Sequence, residues 1–223
     1  MFFARILQAR ICEVLDLEIY NLSEGAWKSN CYALISRGED GQNHASIVDP
    51  SATAQNIVDF LDGKQARLDF IILTHGHFDH ISHLDDLRSL TGAPAYIHKA
   101  DAEMLSDGRK NAFSLFFGGE LSLADADRLL DGGEMLTLGE EQIQVISTPG
   151  HSRGSICLLC PDFIVTGDTI FAEGYGRYDL YGGDLATLRE SLISLKKYPR
   201  NLRLYAGHGA ESTLGAAIEN LYV

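Results

Sequence analysis

Residues 69–80 limit what this chain can fold into more than any other stretch. The run Asp69-Phe70-Ile71-Ile72-Leu73-Thr74 is apolar, continuous and rich in β-branched residues, which predicts a buried strand. His75-Gly76-His77-Phe78-Asp79-His80 follows it directly. Three imidazoles and a carboxylate therefore fall where a strand ends and a loop begins, the usual place for functional residues in an α/β protein. Imidazole nitrogen and carboxylate oxygen suit zinc, and also iron or manganese.

Three later positions share that setting. His151 follows the apolar stretch Ile143 to Ile146, in Ser147-Thr148-Pro149-Gly150-His151-Ser152. Asp168 follows Phe163-Ile164-Val165, in Thr166-Gly167-Asp168-Thr169. His208 follows Leu202-Arg203-Leu204, in Tyr205-Ala206-Gly207-His208-Gly209. Each has a glycine beside it, which lets the backbone turn sharply and leaves room near an ion. Four strand ends thus offer ligands to one rim of a sheet-based fold.

The series resembles the metallo-β-lactamase superfamily, whose members carry His-x-His-x-Asp-His, then His, Asp and His at strand ends. The likeness runs from about Leu17 to the end of the chain. Thr148-Pro149-Gly150-His151-Ser152 and Gly167-Asp168-Thr169-Ile170-Phe171 are most similar to the glyoxalase II-like (hydroxyacylglutathione hydrolase-like) enzymes. Gly176-Arg177-Tyr178-Asp179 through Gly182-Gly183-Asp184 resembles a short, single-domain branch of that group. Persulfide dioxygenases share a similar Gly-Arg-x-Asp stretch. The resemblance implies an αββα sandwich of the α/β class, with a hydrolase domain over residues 17–223 and an N-terminal extension over 1–16.

It also implies a site. His75, His77, Asp79, His80, His151, Asp168 and His208 are the expected metal ligands. His75, His77 and His151 can form one subsite and Asp79, His80 and His208 a second, with Asp168 bridging them. The expected cofactors are two divalent ions, zinc first, with iron or manganese as alternatives. The implied chemistry is hydrolysis of a thioester of a small hydroxy acid by a metal-activated hydroxide. Asp79 and Asp168 are the expected catalytic carboxylates. Arg177, Tyr178 and Tyr181 are candidate substrate contacts, since a guanidinium suits a substrate carboxylate; Arg177 could instead pair with Asp179. The alternatives are a mononuclear iron persulfide dioxygenase, a lactonase or other ester hydrolase, and a metal-binding module without catalysis.

Bulk properties narrow the partners. A length of 223 residues suits one domain, or one domain of two similar halves. A net charge of −13 disfavours nonspecific binding to nucleic acid or an acidic membrane; the partner that the resemblance implies is a small-molecule substrate. No apolar run reaches the roughly 18–20 residues of a membrane span. Arg5, Arg10 and Glu13 interrupt the start, so no secretory signal is expected and the cytoplasm is the default compartment. Cys157 and Cys160 form a Cys-x-x-Cys, but Ile156-Cys157-Leu158-Leu159-Cys160 reads as a buried strand.

The remaining elements follow from periodicity. Strands are expected near 17–21, 31–36, 45–49, 95–98, 134–138, 142–146, 155–160, 163–166 and 202–205. Helices are expected over 53–61, 79–90, 100–106, 184–198 with Asp184 as N-cap, and 213–221. Residues 107–133 read as a surface segment, or as a wall over the site, with Phe113, Leu115, Phe116 and Phe117 clustered inside. His83 reads as a helix-surface residue, His44 and His98 as surface residues, and Trp27 as a loop residue between the first strands.

Overall fold

In a computed structural model of the chain, residues 17–24 and 29–221 are described. The expected extension over 1–16 and Trp27 lie outside them. Strands β1 (Glu18–Asn21), β2 (Tyr32–Arg37) and β3 (Asn43–Val48) form an antiparallel meander. Helix α1 (Ala54–Gly63) then leads to β4 (Ala66–Ile72), which pairs parallel with β3. Two short helices, α2 (Phe78–Ile81) and α3 (Leu84–Thr91), precede β5 (Ala95–His98). A 3-10 turn over Lys99–Met104 and α4 (Phe113–Phe117) lead to β6 (Arg128–Leu130), which closes a six-stranded sheet in sequential order.

The second half repeats this plan. β7 (Met135–Leu138), β8 (Glu141–Ser147), β9 (Ile156–Leu159) and β10 (Phe163–Gly167) run antiparallel. Helix α5 (Leu185–Leu195) crosses back to β11 (Arg203–Ala206), parallel to β10. β12 (Ser212–Thr213) and α6 (Leu214–Glu219) finish the second six-stranded sheet.

Strand alternation explains the layering, because successive side chains point to opposite faces. In β2, Tyr32 and Leu34 enter the seam between the sheets, while Ala33 and Ile35 join Ile57, Leu61, Leu84 and Leu87 of the first helix layer. In β4, Phe70 and Ile72 face the seam, and Ile71 faces the helices. On the far sheet, Val145, Leu158 and Val165 complete the seam, while Ile146, Cys157 and Ile164 pack on Leu188, Leu192, Leu195 and Leu214. Helix, sheet, sheet, helix is therefore the order of layers, as the resemblance implied.

Several local expectations need correction. The helix expected over 79–90 is broken at Ser82-His83, where the His83 N–H donates to the Pro50 carbonyl at 3.1 Å. The break separates α2 from α3, and Leu90, at helical spacing from the buried Leu84 and Leu87, is left 56% exposed. The helix expected over 100–106 is the 3-10 turn, capped by the His98 ring, which accepts from the Ala100 N–H. His98 is accordingly buried rather than on the surface. His44 is also largely covered, its Nδ1 2.7 Å from Asp69 Oδ2. Cys157 and Cys160 are buried free thiols in different core clusters. Burial pushes the Cys157 thiol up to about 11. No helix among the described residues is long and apolar enough to cross a membrane.

Candidate metal centre

Both sheets end their central strands on one rim, and the expected ligands meet there. The segment after β4 carries His75 and His77 and turns into α2 with Asp79 and His80. The loops after β8, β10 and β11 carry His151, Asp168 and His208. His75, His77, His80, His151 and Asp168 are buried; Asp79 and His208 are partly exposed. Close approach at the rim depends on glycine. A Cβ on Gly207 would lie 2.1 Å from Asp168 Oδ1 and 2.8 Å from His80 Cε1.

The polar atoms fall into two neighbouring groups. His75, His77 and His151 place their rings 4.6–4.9 Å apart, with His77 Nδ1 2.8 Å from His151 Nε2. In the second group, His208 Nε2 is 3.2 Å from Asp79 Oδ2 and 3.3 Å from His80 Nε2. Asp168 stands between the groups. Its Oδ2 is 3.6 Å from His151 Nε2 and 3.5 Å from His208 Nε2, and its Oδ1 is 3.4 Å from His80 Nε2. Ligand atoms about 2.0–2.1 Å from one tetrahedral ion are themselves roughly 3.3 Å apart, so most of these separations suit a coordination shell.

Two atoms make the fit sharper. His75 Nε2 and Asp168 Oδ1 are buried and make no hydrogen bond. Leaving such groups unsatisfied typically costs about 1–3 kcal/mol each, more for a charge. A divalent cation would satisfy both, so the residues present fit a metal centre.

The charge environment differs between the groups. Burial first, then neighbouring imidazoles, hold His75 and His77 far below the ordinary histidine range, leaving them neutral with lone pairs to offer. Burial opposes charge on His80, but Asp79, Asp168 and Asp49 outweigh it and lift His80 to about 10. His208 is raised against burial by its hydrogen bond to Asp79 and the charge of Asp168. Asp79 is held well below the carboxylate range despite its burial, by His80 and His208. A cation entering this acid-rich half must displace protons.

Behind the ligand atoms lie residues the sequence reading missed. Asp49 accepts from the Thr74 N–H (2.7 Å) and hydroxyl (2.6 Å), and its Oδ2 meets His80 Nδ1 at 2.9 Å. It adopts φ of 53°, a region that Asp tolerates better than most side chains. Although Asp49, His75 and His80 also lie close enough to share an ion, Asp49 is already committed to these contacts. Asp101 is fully buried and accepts from Gly76 N (3.1 Å), Gly154 N (2.6 Å) and Ser152 Oγ (2.6 Å). Ser29 Oγ donates to the Asp79 carbonyl at 2.6 Å. Asp49 could have been found from its place after β3 on the same rim. Asp101 carries no local signal.

The expected substrate contacts occupy the rim differently. The Arg177 carbonyl meets His151 Nδ1 at 2.7 Å, while its guanidinium pairs with Asp179 at 2.8 and 2.9 Å. Tyr181 donates to Glu103 at 2.6 Å, and Tyr178 is 40% exposed. His83 is not part of either ligand group; its Nδ1 lies 3.7 Å from Asp86.

Comparison with known proteins gives three kinds of likeness. Residues 25–208 match the family model described as the metallo-beta-lactamase superfamily. The probable metallo-hydrolase YqgX of Bacillus subtilis (strain 168) is 33% identical over 194 residues, covering 84% of this chain and 88% of the relative. The crystal structure of BLEG-1, a B3 metallo-beta-lactamase, superposes with a TM-score of 0.82 at 32% identity, covering 91% of this chain and 97% of that one. TTHA1623 in a di-iron-bound form superposes with a TM-score of 0.73 at 28% identity, covering 88% and 96%.

Proposed function

The chain belongs to the metallo-beta-lactamase superfamily, and from that premise we propose that it is a two-metal hydrolase cleaving the thioester of a small hydroxy acid. The observation that carries this reading is that His75 Nε2 and Asp168 Oδ1, two of the buried atoms without hydrogen bonds, are set among five further donor side chains. His75, His77 and His151 would hold one ion, Asp79, His80 and His208 the other, and Asp168 would reach both. The donor set suits zinc. Iron is the alternative, given the di-iron form of TTHA1623. When bound, the ions supply hydroxide near neutral pH and polarise the carbonyl under attack.

The chain's own groups orient that chemistry. Asp49 holds His80 through Nδ1 and so turns Nε2 toward the centre. The Thr74 hydroxyl donates to Asp49 and lies 3.0 Å from His75 Nδ1, which it can accept from. The Arg177 carbonyl holds His151 in the same sense. Asp168 would set the spacing between the two ions, and Asp79, at the partly exposed edge, would hold the second of them together with His80 and His208. Arg177, Tyr178 and Tyr181 line the substrate side. Because the Arg177–Asp179 pair is exposed, a substrate carboxylate can replace Asp179 at little cost.

Metal analysis of the purified protein tests this. Close to two divalent ions per chain are expected, and His77→Ala should lose at least one together with thioester hydrolysis. A wild-type protein that stays metal-free in excess zinc, iron and manganese would overturn the reading.

A further inference from the structure

An exposed aromatic wall begins inside the ligand loop itself. Phe78 sits between His77 and Asp79, and its ring centroid lies 6.0, 5.6 and 5.4 Å from those of Phe113, Phe116 and Phe117. All three belong to α4, a single turn with no buried residue. Leu115, Phe116 and Phe117 are 68%, 50% and 43% exposed. Residues 111–119 carry no charge at all.

The turn is held in place rather than left loose. Asn111, fully buried, donates to the Met104 and Leu121 carbonyls at 3.0 Å and accepts from the Phe113 N–H at 3.0 Å. Its own carbonyl accepts from Phe78 N at 3.0 Å, which ties the wall to the ligand loop. Ala112 enters the turn at φ of 70°, a strained conformation for a residue with a Cβ. A fixed, strained and charge-free apolar surface beside a polar centre is a ligand-binding arrangement, since such sites pair apolar walls with a few convergent polar groups. The cations that precede the turn in sequence are already paired: Lys110 with Glu103, and Arg109 with Asp107.

We infer that Phe78 and the exposed face of α4 form an acyl-chain subsite, so that the substrate is a thioester whose acyl group carries an extended apolar chain. The inference rests on the metal-hydrolase reading above and goes beyond it: the thioester chemistry is kept, and a longer, apolar acyl group takes the place of the small hydroxy acid. The reaction adds water across the acyl C–S bond: a C–O bond forms, the C–S bond breaks, the thiolate takes one proton, and the acid leaves as carboxylate with release of the other. The wall acts on binding of the acyl chain and takes no part in bond cleavage.

The test uses zinc- or iron-loaded protein and thioesters of N-acetylcysteamine with unbranched acyl chains from acetyl to octanoyl. Wild-type kcat/KM should rise roughly twofold per methylene, the effect of burying about half of each methylene. In the double variant Leu115→Ser with Phe116→Ser, the octanoyl-to-acetyl ratio should collapse toward one. A wild-type profile indifferent to chain length, or a ratio unchanged in the variant, would overturn the inference. Calorimetry of acetate and octanoate binding to the same loaded proteins separates the two readings. If no thioester is cleaved but wild type prefers octanoate and the variant does not, the hydrolase reading fails and the apolar subsite stands. No preference for octanoate would sink the subsite. A dimer in wild type that becomes a monomer in the variant, with an unchanged chain-length profile, would assign the wall to a second copy and overturn the proposal.

Discussion

At the scale of single residues, the donors were legible and their supports were not. Chemistry concentrated in His75-Gly76-His77-Phe78-Asp79-His80 stands out in any reading, because few other uses of a strand end need that density of imidazole. Asp49 looks like an ordinary turn residue; its place after β3 on the ligand rim is the one hint in the sequence, and its contacts form only once β3 and β4 lie side by side. We predict that Asp49→Asn lowers metal affinity about 10–100-fold, since an amide cannot accept all the donors that now converge on the carboxylate. Competition with a chromogenic chelator reads this, and unchanged affinity would show that His80 is oriented by something else. His44 illustrates a different error: a lone histidine following Gly41-Gln42-Asn43 looks like surface, yet the parallel pairing of β3 with β4 brings it onto Asp69. Its hydrogen bonds to Asp69 and Asp40 raise its affinity for a proton. The resulting stabilisation is complete below the unfolded value near 6.5 and is lost as pH rises through the higher folded value. His44→Gln should therefore lower Tm by about 1–2 °C at pH 5.5 and by less at pH 9. A variant whose deficit grows with pH would contradict the assignment.

Among elements, strands and capped helices were easy to read. Helix α5 begins where Asp184 predicts, with the Asp184 side chain accepting from the Thr187 N–H at 2.7 Å. The failure lay where a tertiary contact overrode local periodicity. Ile81, Leu84 and Leu87 keep helical spacing across Ser82-His83, so nothing local announces the break between α2 and α3; the contact with Pro50 decides it. Loop-to-loop ties are equally silent in the sequence. Asp101 joins the His75–His77 segment to the loop bearing His151, and Gly154 can approach it only because a Cβ there would lie 2.7 Å from Asp101 Cγ. Asp101→Asn keeps the shape but turns an amide toward a backbone N–H. It should weaken metal binding at the three-imidazole group tenfold or more, with a smaller effect from Ser152→Ala. Cobalt-substituted protein would report this as an altered visible spectrum; a wild-type spectrum and affinity in Asp101→Asn would remove Asp101 from the positioning role.

At the scale of the whole molecule, the sandwich is two like halves facing each other, and the donors are divided between them. The first sheet contributes His75, His77, Asp79 and His80, and the second His151, Asp168 and His208. Ions held across that divide should stabilise the fold by about 3–4 kcal/mol at 100–1,000 times their dissociation constant. For a chain of this size, stripping them with a chelator should lower Tm by roughly 5–15 °C; a melting curve indifferent to chelation would mean the halves are not joined through metal. The strand order shows how the halves are joined in the chain. It passes from β6 to β7 once, through Gly132-Gly133, and does not return. Nicked at that connection, the protein would become two separate polypeptides, neither with a complete ion cage. Each cation shared across the seam would then act as a clasp, and metal concentration would govern whether the pieces find one another.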